Sequence, residues 1–216
     1  MRVSHHEQYK YTDEAKRAWR SWVRDQMLLR SFAAADNKLL GCWVEPIGTD
    51  AEAFRDHIRS GLITETQLVG LDGNPASQEE STRNVTRCRE LFPQATFLNS
   101  TWSDFCYSSD GAGIRYIVYD LFTSTYGSVL QANIDAGCVL IAKALRDVDQ
   151  VLLVVNADLG RMQRQSRTTA DYGEFLRTTL RNHRSLPEVD VDTDALYTYR
   201  NTPSSSLMGS IVLDFH

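Results

Sequence analysis

Apolar residues along the chain fall into short unbroken runs, separated by longer stretches that repeat every three or four residues. The runs centre on Leu39-Leu40-Gly41-Cys42-Trp43-Val44, Leu68-Val69-Gly70-Leu71, Ala95-Thr96-Phe97-Leu98, Tyr116-Ile117-Val118-Tyr119 and Val151-Leu152-Leu153-Val154-Val155. Runs this short without strict alternation predict strands buried on both faces, as in a parallel sheet. The stretches between them predict helices. One over 11–30 has Thr12 or Asp13 as cap and Ala15, Trp19, Trp22, Val23 and Met27 on a single stripe. Another runs from Thr49 or Asp50 to about residue 60, closed by Gly61. Further helices are predicted over 75–92, 128–145 and 168–184, the first opened by Pro75 and stopped by Pro93. A polar loop carrying Trp102 and Asp104 is expected between the third and fourth strands.

Two more strand patterns, 195–199 and 207–215, are joined by a short polar loop and suit an antiparallel pair. Alternating strands and helices followed by a terminal hairpin predict an α/β fold: a doubly wound, mostly parallel seven-stranded sheet with a C-terminal antiparallel hairpin and helices on both faces. Residues 1–35 are expected to form a helical extension packed on a domain spanning 36–216.

The composition fits one globular unit, at 216 residues with 42% hydrophobic and 24% charged positions. No apolar run reaches the roughly 18 residues of a membrane span, and the first residues lack a signal-peptide core, so a cytoplasmic setting is expected. Cys42, Cys88, Cys106 and Cys138 have no CxxC spacing and read as reduced thiols. The net charge of -5 argues against coating nucleic acid by bulk electrostatics. Neither HExxH, GxSxG nor a Walker phosphate loop occurs, and no His/Asp/Glu grouping suggests a metal.

Candidate chemistry gathers at strand ends, where ligands of doubly wound sheets lie. Asp72 follows the second strand of the doubly wound series, 24 residues after Gly48 in the first strand-to-helix turn. That offset suits a carboxylate accepting from a ribose, or Asp72 instead shapes the Asp-Gly-Asn-Pro turn. Asp120 ends the fourth strand and either orients a nucleophile or satisfies loop amides. Phe122 and Tyr126 either stack on a base or pack a sheet edge. Arg161, Arg164 and Arg167 recur every three residues after the fifth strand, as a phosphate grip or as solvated surface.

The acid-tipped strands and the closing hairpin resemble Rossmann-fold (class I) S-adenosylmethionine-dependent methyltransferases, over roughly residues 36–216. The resemblance implies S-adenosylmethionine as cofactor. It assigns Glu45, Pro46 and Gly48 to the amino-acid end, Asp72 with Asn74 to the ribose, and Trp102, Ser103 and Asp104 to the adenine. The segment Asp120-Leu121-Phe122-Thr123 would lie near the transferred methyl, with Asp120 and Phe122 catalytic and Thr123, Tyr126 and the three arginines on the substrate. Two departures stand out: Gly48 is the one glycine of the first loop, and Asp-Leu-Phe-Thr replaces the Asn/Asp-Pro-Pro-Tyr of amino-methylating nucleic-acid enzymes. In size and divergence the chain is similar to methyltransferase-like proteins of phages and mobile elements. The expected function is methyl transfer, with nucleic acid as an acceptor to test. The alternative is a Rossmann-like interaction or structural module without catalysis.

Overall fold

Helix α1 (Asp13–Arg30) lies along one face of the sheet and buries the stripe its spacing defines. Trp19, Val23 and Met27 are at most 3% exposed, each burial contributing roughly 2 kcal/mol. This computed structural model describes residues 13–47, 51–73, 77–124, 128–159, 196–200 and 207–216, with Glu174, Thr178 and Leu186. Of the helix expected over 168–184, Glu174 and Thr178 are described, and both are helical.

The first apolar run does not form one strand. Ala34–Ala35 and Lys38–Leu39 make a small antiparallel hairpin, turned by Asp36 and Asn37 at positive φ. Gly41, at φ 111°, redirects the chain, and Leu40 is left 55% exposed. Strand β1 (Cys42–Pro46) starts after it and runs further than expected, through Glu45 and Pro46. A continuous apolar run conceals such a break, because burial and backbone direction are separate properties.

Helix α2 (Glu52–Arg59) ends where Gly61 predicts, at φ 72°. Gly61 N–H donates to the Ile58 carbonyl and Leu62 N–H to that of His57, the Schellman arrangement. Its expected caps, Thr49 and Asp50, lie outside the described residues; Ala51, at φ 51°, precedes the helix. Strand β2 (Leu68–Leu71), helix α3 (Gln78–Leu91) and strand β3 (Thr96–Leu98) follow.

The expected polar loop contains a helix instead, α4 (Trp102–Ser108). Thr101 caps it, its Oγ1 accepting from Asp104 N–H at 3.1 Å. At the other end Lys143 Nζ donates to the carbonyls of Cys106, Tyr107 and Ser109 at 3.2, 2.8 and 2.6 Å. Strand β4 (Ile114–Ser124), helix α5 (Ser128–Ala144) and strand β5 (Val151–Asp158) complete the parallel part. Strands β6 (Leu196–Arg200) and β7 (Leu207–Phe215) form the antiparallel end.

The seven-stranded sheet has the order β3-β2-β1-β4-β5-β7-β6, with β7 inserted antiparallel between β5 and β6. Connections leave β1 in one direction through β2 and β3, and β4 then pairs on the other side of β1. The strand order therefore reverses between β1 and β4. Alternate residues serve opposite faces: Tyr116 and Val118 join the core under α1, α2 and α3, while Ile117 and Tyr119 join the one under α4 and α5.

The four cysteines are free thiols. Burial pushes Cys88 up to about 11 and Cys138 up to about 12 from an ordinary 9.0, and raises Cys106 as well. A raised folded-state value means stability is intact below the unfolded value and falls as unfolded thiols ionise above it. We expect the melting temperature to decline between pH 9 and about 12, and Cys88→Ala with Cys138→Ala to flatten that decline. An unchanged slope in the double variant would remove these two thiols as its cause.

Candidate functional site at the carboxyl edge of the sheet

At the reversal point, three strand ends sit side by side. Ile47 N–H donates to the Leu71 carbonyl at 2.7 Å and Asp72 N–H to that of Leu98 at 3.0 Å. The tips of β1, β2 and β3 thus form one ledge. Beyond the Val44–Ile117 pairing, β4 carries Asp120, Phe122 and Thr123 along the same edge, with Asp120 opposite Asn156 of β5.

Asp72 is half-buried on that ledge, and side chains of α3 hold its carboxylate. Ser81 Oγ donates to Oδ1 at 2.9 Å and Asn84 Nδ2 to Oδ2 at 2.8 Å. A carboxylate offers about four acceptor positions, so one remains on each oxygen. Gly73 carries the chain past the next loop at very close range. A Cβ there would lie 2.1 Å from Ser100 C and Thr101 N. The β2 and β3 loops are in backbone contact because this residue has no side chain.

Glu45 has a different setting. Its alternation along β1 turns it under α2, where it is 4% exposed. There its Oε2 accepts from Trp43 Nε1 at 2.9 Å and lies 3.3 Å from His57 Nε2. The Trp43 and His57 rings are 4.7 Å apart. This carboxylate belongs to a buried polar group beside the edge, whereas Pro46 is half-buried at the strand tip.

The β3 loop is built against α5. Trp102, 8% exposed, donates from Nε1 to the Asn133 carbonyl at 3.0 Å, and Ser103 Oγ donates to Asn133 Oδ1 at 3.3 Å. The indole stacks at a tilt on Tyr119, centroids 4.9 Å apart. Beneath them is a cavity of about 20 Å³, the size of one water, lined by Trp102, Tyr119, Asn133, Ile134, Gly137 and Cys138, with Leu153 and Val155. Asp104 is exposed and accepts from Thr101 Oγ1 at 2.7 Å, closing the cap of α4.

The structure therefore brings Pro46, Asp72, Trp102, Ser103 and Asp104 to one edge, with the backbone of Asp120, Phe122 and Thr123 beside them. Gly48, Asn74, Tyr126, Arg161, Arg164 and Arg167 lie outside the described residues. Sequence reasoning missed Ser81, Asn84, Gly73 and Asn133. The first two had a signal, since polar residues three apart on a helix after an acid-tipped strand share one face. Among the described residues no group of His, Cys, Asp or Glu is arranged to hold a metal ion, and no helix is long and apolar enough to cross a membrane.

No protein-family model matches the chain, and no curated protein sequence matches it. Solved structures do match its fold. N-methyltransferase NodS from Bradyrhizobium japonicum, in complex with S-adenosyl-L-homocysteine, superposes with a TM-score of 0.56 at 12% identity, covering 96% of this chain and 91% of that one. A candidate sarcosine dimethylglycine methyltransferase from Galdieria sulphuraria gives 0.54 at 9% identity, covering 93% and 86%. Sp1610 from Streptococcus pneumoniae, described as a candidate tRNA (m1A22) methyltransferase, gives 0.53 at 10% identity, covering 90% and 68%. The chain has a Rossmann-like fold shared with methyltransferases of known structure.

Proposed function

We propose that the chain is an S-adenosylmethionine-dependent methyltransferase whose acceptor is a nucleic acid. The observation that carries the reading is Asp72: an acid on a strand tip next to the order reversal, oriented from behind, with acceptor capacity left on both oxygens. The fold shared with NodS, whose structure holds S-adenosyl-L-homocysteine, supports the choice of cofactor.

In this reading Asp72, with Asn74, accepts from the ribose hydroxyls. Pro46 and Gly48 hold the amino-acid end together with Glu45. Because the Glu45 carboxylate is already engaged, that residue contributes through its place on the strand tip. Ser103 and Asp104 border the adenine, and Trp102, pinned to Asn133, supports their loop from beneath. S-adenosylmethionine supplies an electrophilic methyl group when bound. Asp120 orients the acceptor nucleophile and Phe122 holds it in line, so that positioning provides much of the rate. Thr123 and Tyr126 border the acceptor, while Arg161, Arg164 and Arg167 grip its phosphates.

The acceptor draws support from two places: the arginine spacing, and the likeness in fold to Sp1610, whose described substrate is a tRNA. A cytoplasmic setting fits the four free thiols. The chain's size and divergence fit the methyltransferase-like proteins of phages and mobile elements.

Titration calorimetry with S-adenosylhomocysteine is the direct test. We expect binding in the micromolar range, weakened at least tenfold by Asp72→Ala with the circular dichroism unchanged. Absence of heat at millimolar ligand would remove the cofactor. That result would favour a second reading, a non-catalytic module, for which the internal bonding of the Glu45 carboxylate is the supporting observation.

A further inference from the structure

The two bonds on Asp72 come from an unexpected direction. A carboxylate that only capped α3 would accept from amides of the helix's first turn. These two bonds come instead from side chains deeper in the helix, Ser81 in its first full turn and Asn84 one turn later. Ser81 is 1% exposed, so its hydroxyl lies where only protein groups reach it. Asn84 is half-buried and stands on the same helical face.

The pair takes one acceptor position on each oxygen from the α3 side. This fixes rotation of the carboxylate and leaves one acceptor position on each oxygen. Gly73 prevents the backbone from following a rotation, because its Cα already lies against Ser100 and Thr101. Two acceptors presented side by side match two adjacent hydroxyls on a ring. Preorganising them removes an ordering cost from binding.

We propose that Ser81 and Asn84 are positioning residues that set Asp72 to receive a vicinal diol, and so make this site selective for ribosides over deoxyribosides. The proposal rests on the nucleoside-cofactor reading of the edge and deepens it. Neither residue touches the ligand; both act through Asp72.

The test compares S-adenosylhomocysteine with its 2′,3′-dideoxy analogue on wild-type protein, Asn84→Ala and the Ser81→Ala/Asn84→Ala double variant. Loss of a hydrogen bond to an ionised group predicts about tenfold weaker binding of S-adenosylhomocysteine by the double variant. Binding of the dideoxy analogue should change less than about twofold, since it has no hydroxyls for Asp72 to receive. Asn84→Ala alone, at a half-buried position, keeps the comparison available if the double variant is unstable. Equal losses for both ligands would show a merely structural role and overturn the positioning while leaving the cofactor reading intact. Unchanged affinities would also overturn it. If wild-type protein binds neither ligand, both this proposal and the cofactor reading fall.

Discussion

Gly73→Ala is expected to abolish nucleoside binding and to lower stability by about 3 kcal/mol. The added methyl would meet Ser100 C and Thr101 N at 2.1 Å and Ser100 O at 2.4 Å. These are backbone atoms, so no rotamer change relieves the overlap. The β2 and β3 loops must separate, and that movement pulls Asp72 away from the Leu98 carbonyl its N–H reaches at 3.0 Å. Gly70 tests the same logic at a more forgiving place. Its added Cβ would meet the Phe97 ring at 2.5 Å, and a side chain can move where a backbone cannot. Urea denaturation of both variants, with calorimetry against S-adenosylhomocysteine, should show the larger loss of binding in Gly73→Ala. Normal affinity in that variant would contradict the contact between the two loops.

The architecture was legible because it depends on coarse properties of the chain. Short apolar runs without a polar face favour strands covered on both sides, and helical periods between them favour parallel crossovers. The run that became Val151–Asp158 and the antiparallel pairing of Leu196–Arg200 with Leu207–Phe215 were legible in this way, whereas the insertion of Leu207–Phe215 against Val151–Asp158 was not. What escaped was local. Gly41 looks like any glycine in an apolar run, and its φ of 111° follows from the hairpin before it. Thr101 and Asp104 form a short capped helix, but a Thr-x-x-Asp pattern in a polar stretch also fits an irregular loop.

The site shows the same division. Asp72 stands out because position on a strand tip and residue type are both visible in the sequence. Its partners were not visible in that way. Whether Ser81 and Asn84 face Asp72 depends on where α3 begins and how it is rotated, which tertiary packing of Val85 and Cys88 decides. Glu45 misled in the opposite sense. It also ends a strand, yet the two-residue alternation that buries Trp43 buries Glu45 as well, and His57 from α2 is there to meet it. A strand-tip acid faces the ligand or the core according to its parity. In β1 that parity is fixed by the tryptophan two residues earlier.

Asn156→Ala should be among the most destabilising polar substitutions in the chain, at about 3 kcal/mol, although it lies in none of the proposed binding positions. Asn156 is 1% exposed on β5, directly opposite Ser210 of β7. Its Oδ1 accepts from Ser210 Oγ at 2.7 Å and its Nδ2 donates to Tyr199 Oη at 2.8 Å. Ser210 Oγ in turn accepts from Trp19 Nε1 at 2.7 Å, so one buried network ties α1 to β5, β6 and β7. The Trp19 and Tyr199 rings, 6.0 Å apart, pack over it. In alanine's place the Ser210 hydroxyl loses its acceptor inside an apolar layer, where water cannot replace it without opening the helix. Hydrogen exchange should then show α1 losing protection before the strands do. A Ser210→Ala/Asn156→Ala double variant should be less destabilised than the sum of the single variants, because removing both groups leaves fewer buried atoms without partners. Simple additivity would mean that the two residues act independently, and the Trp19–Ser210 bond would then hold α1 without help from Asn156.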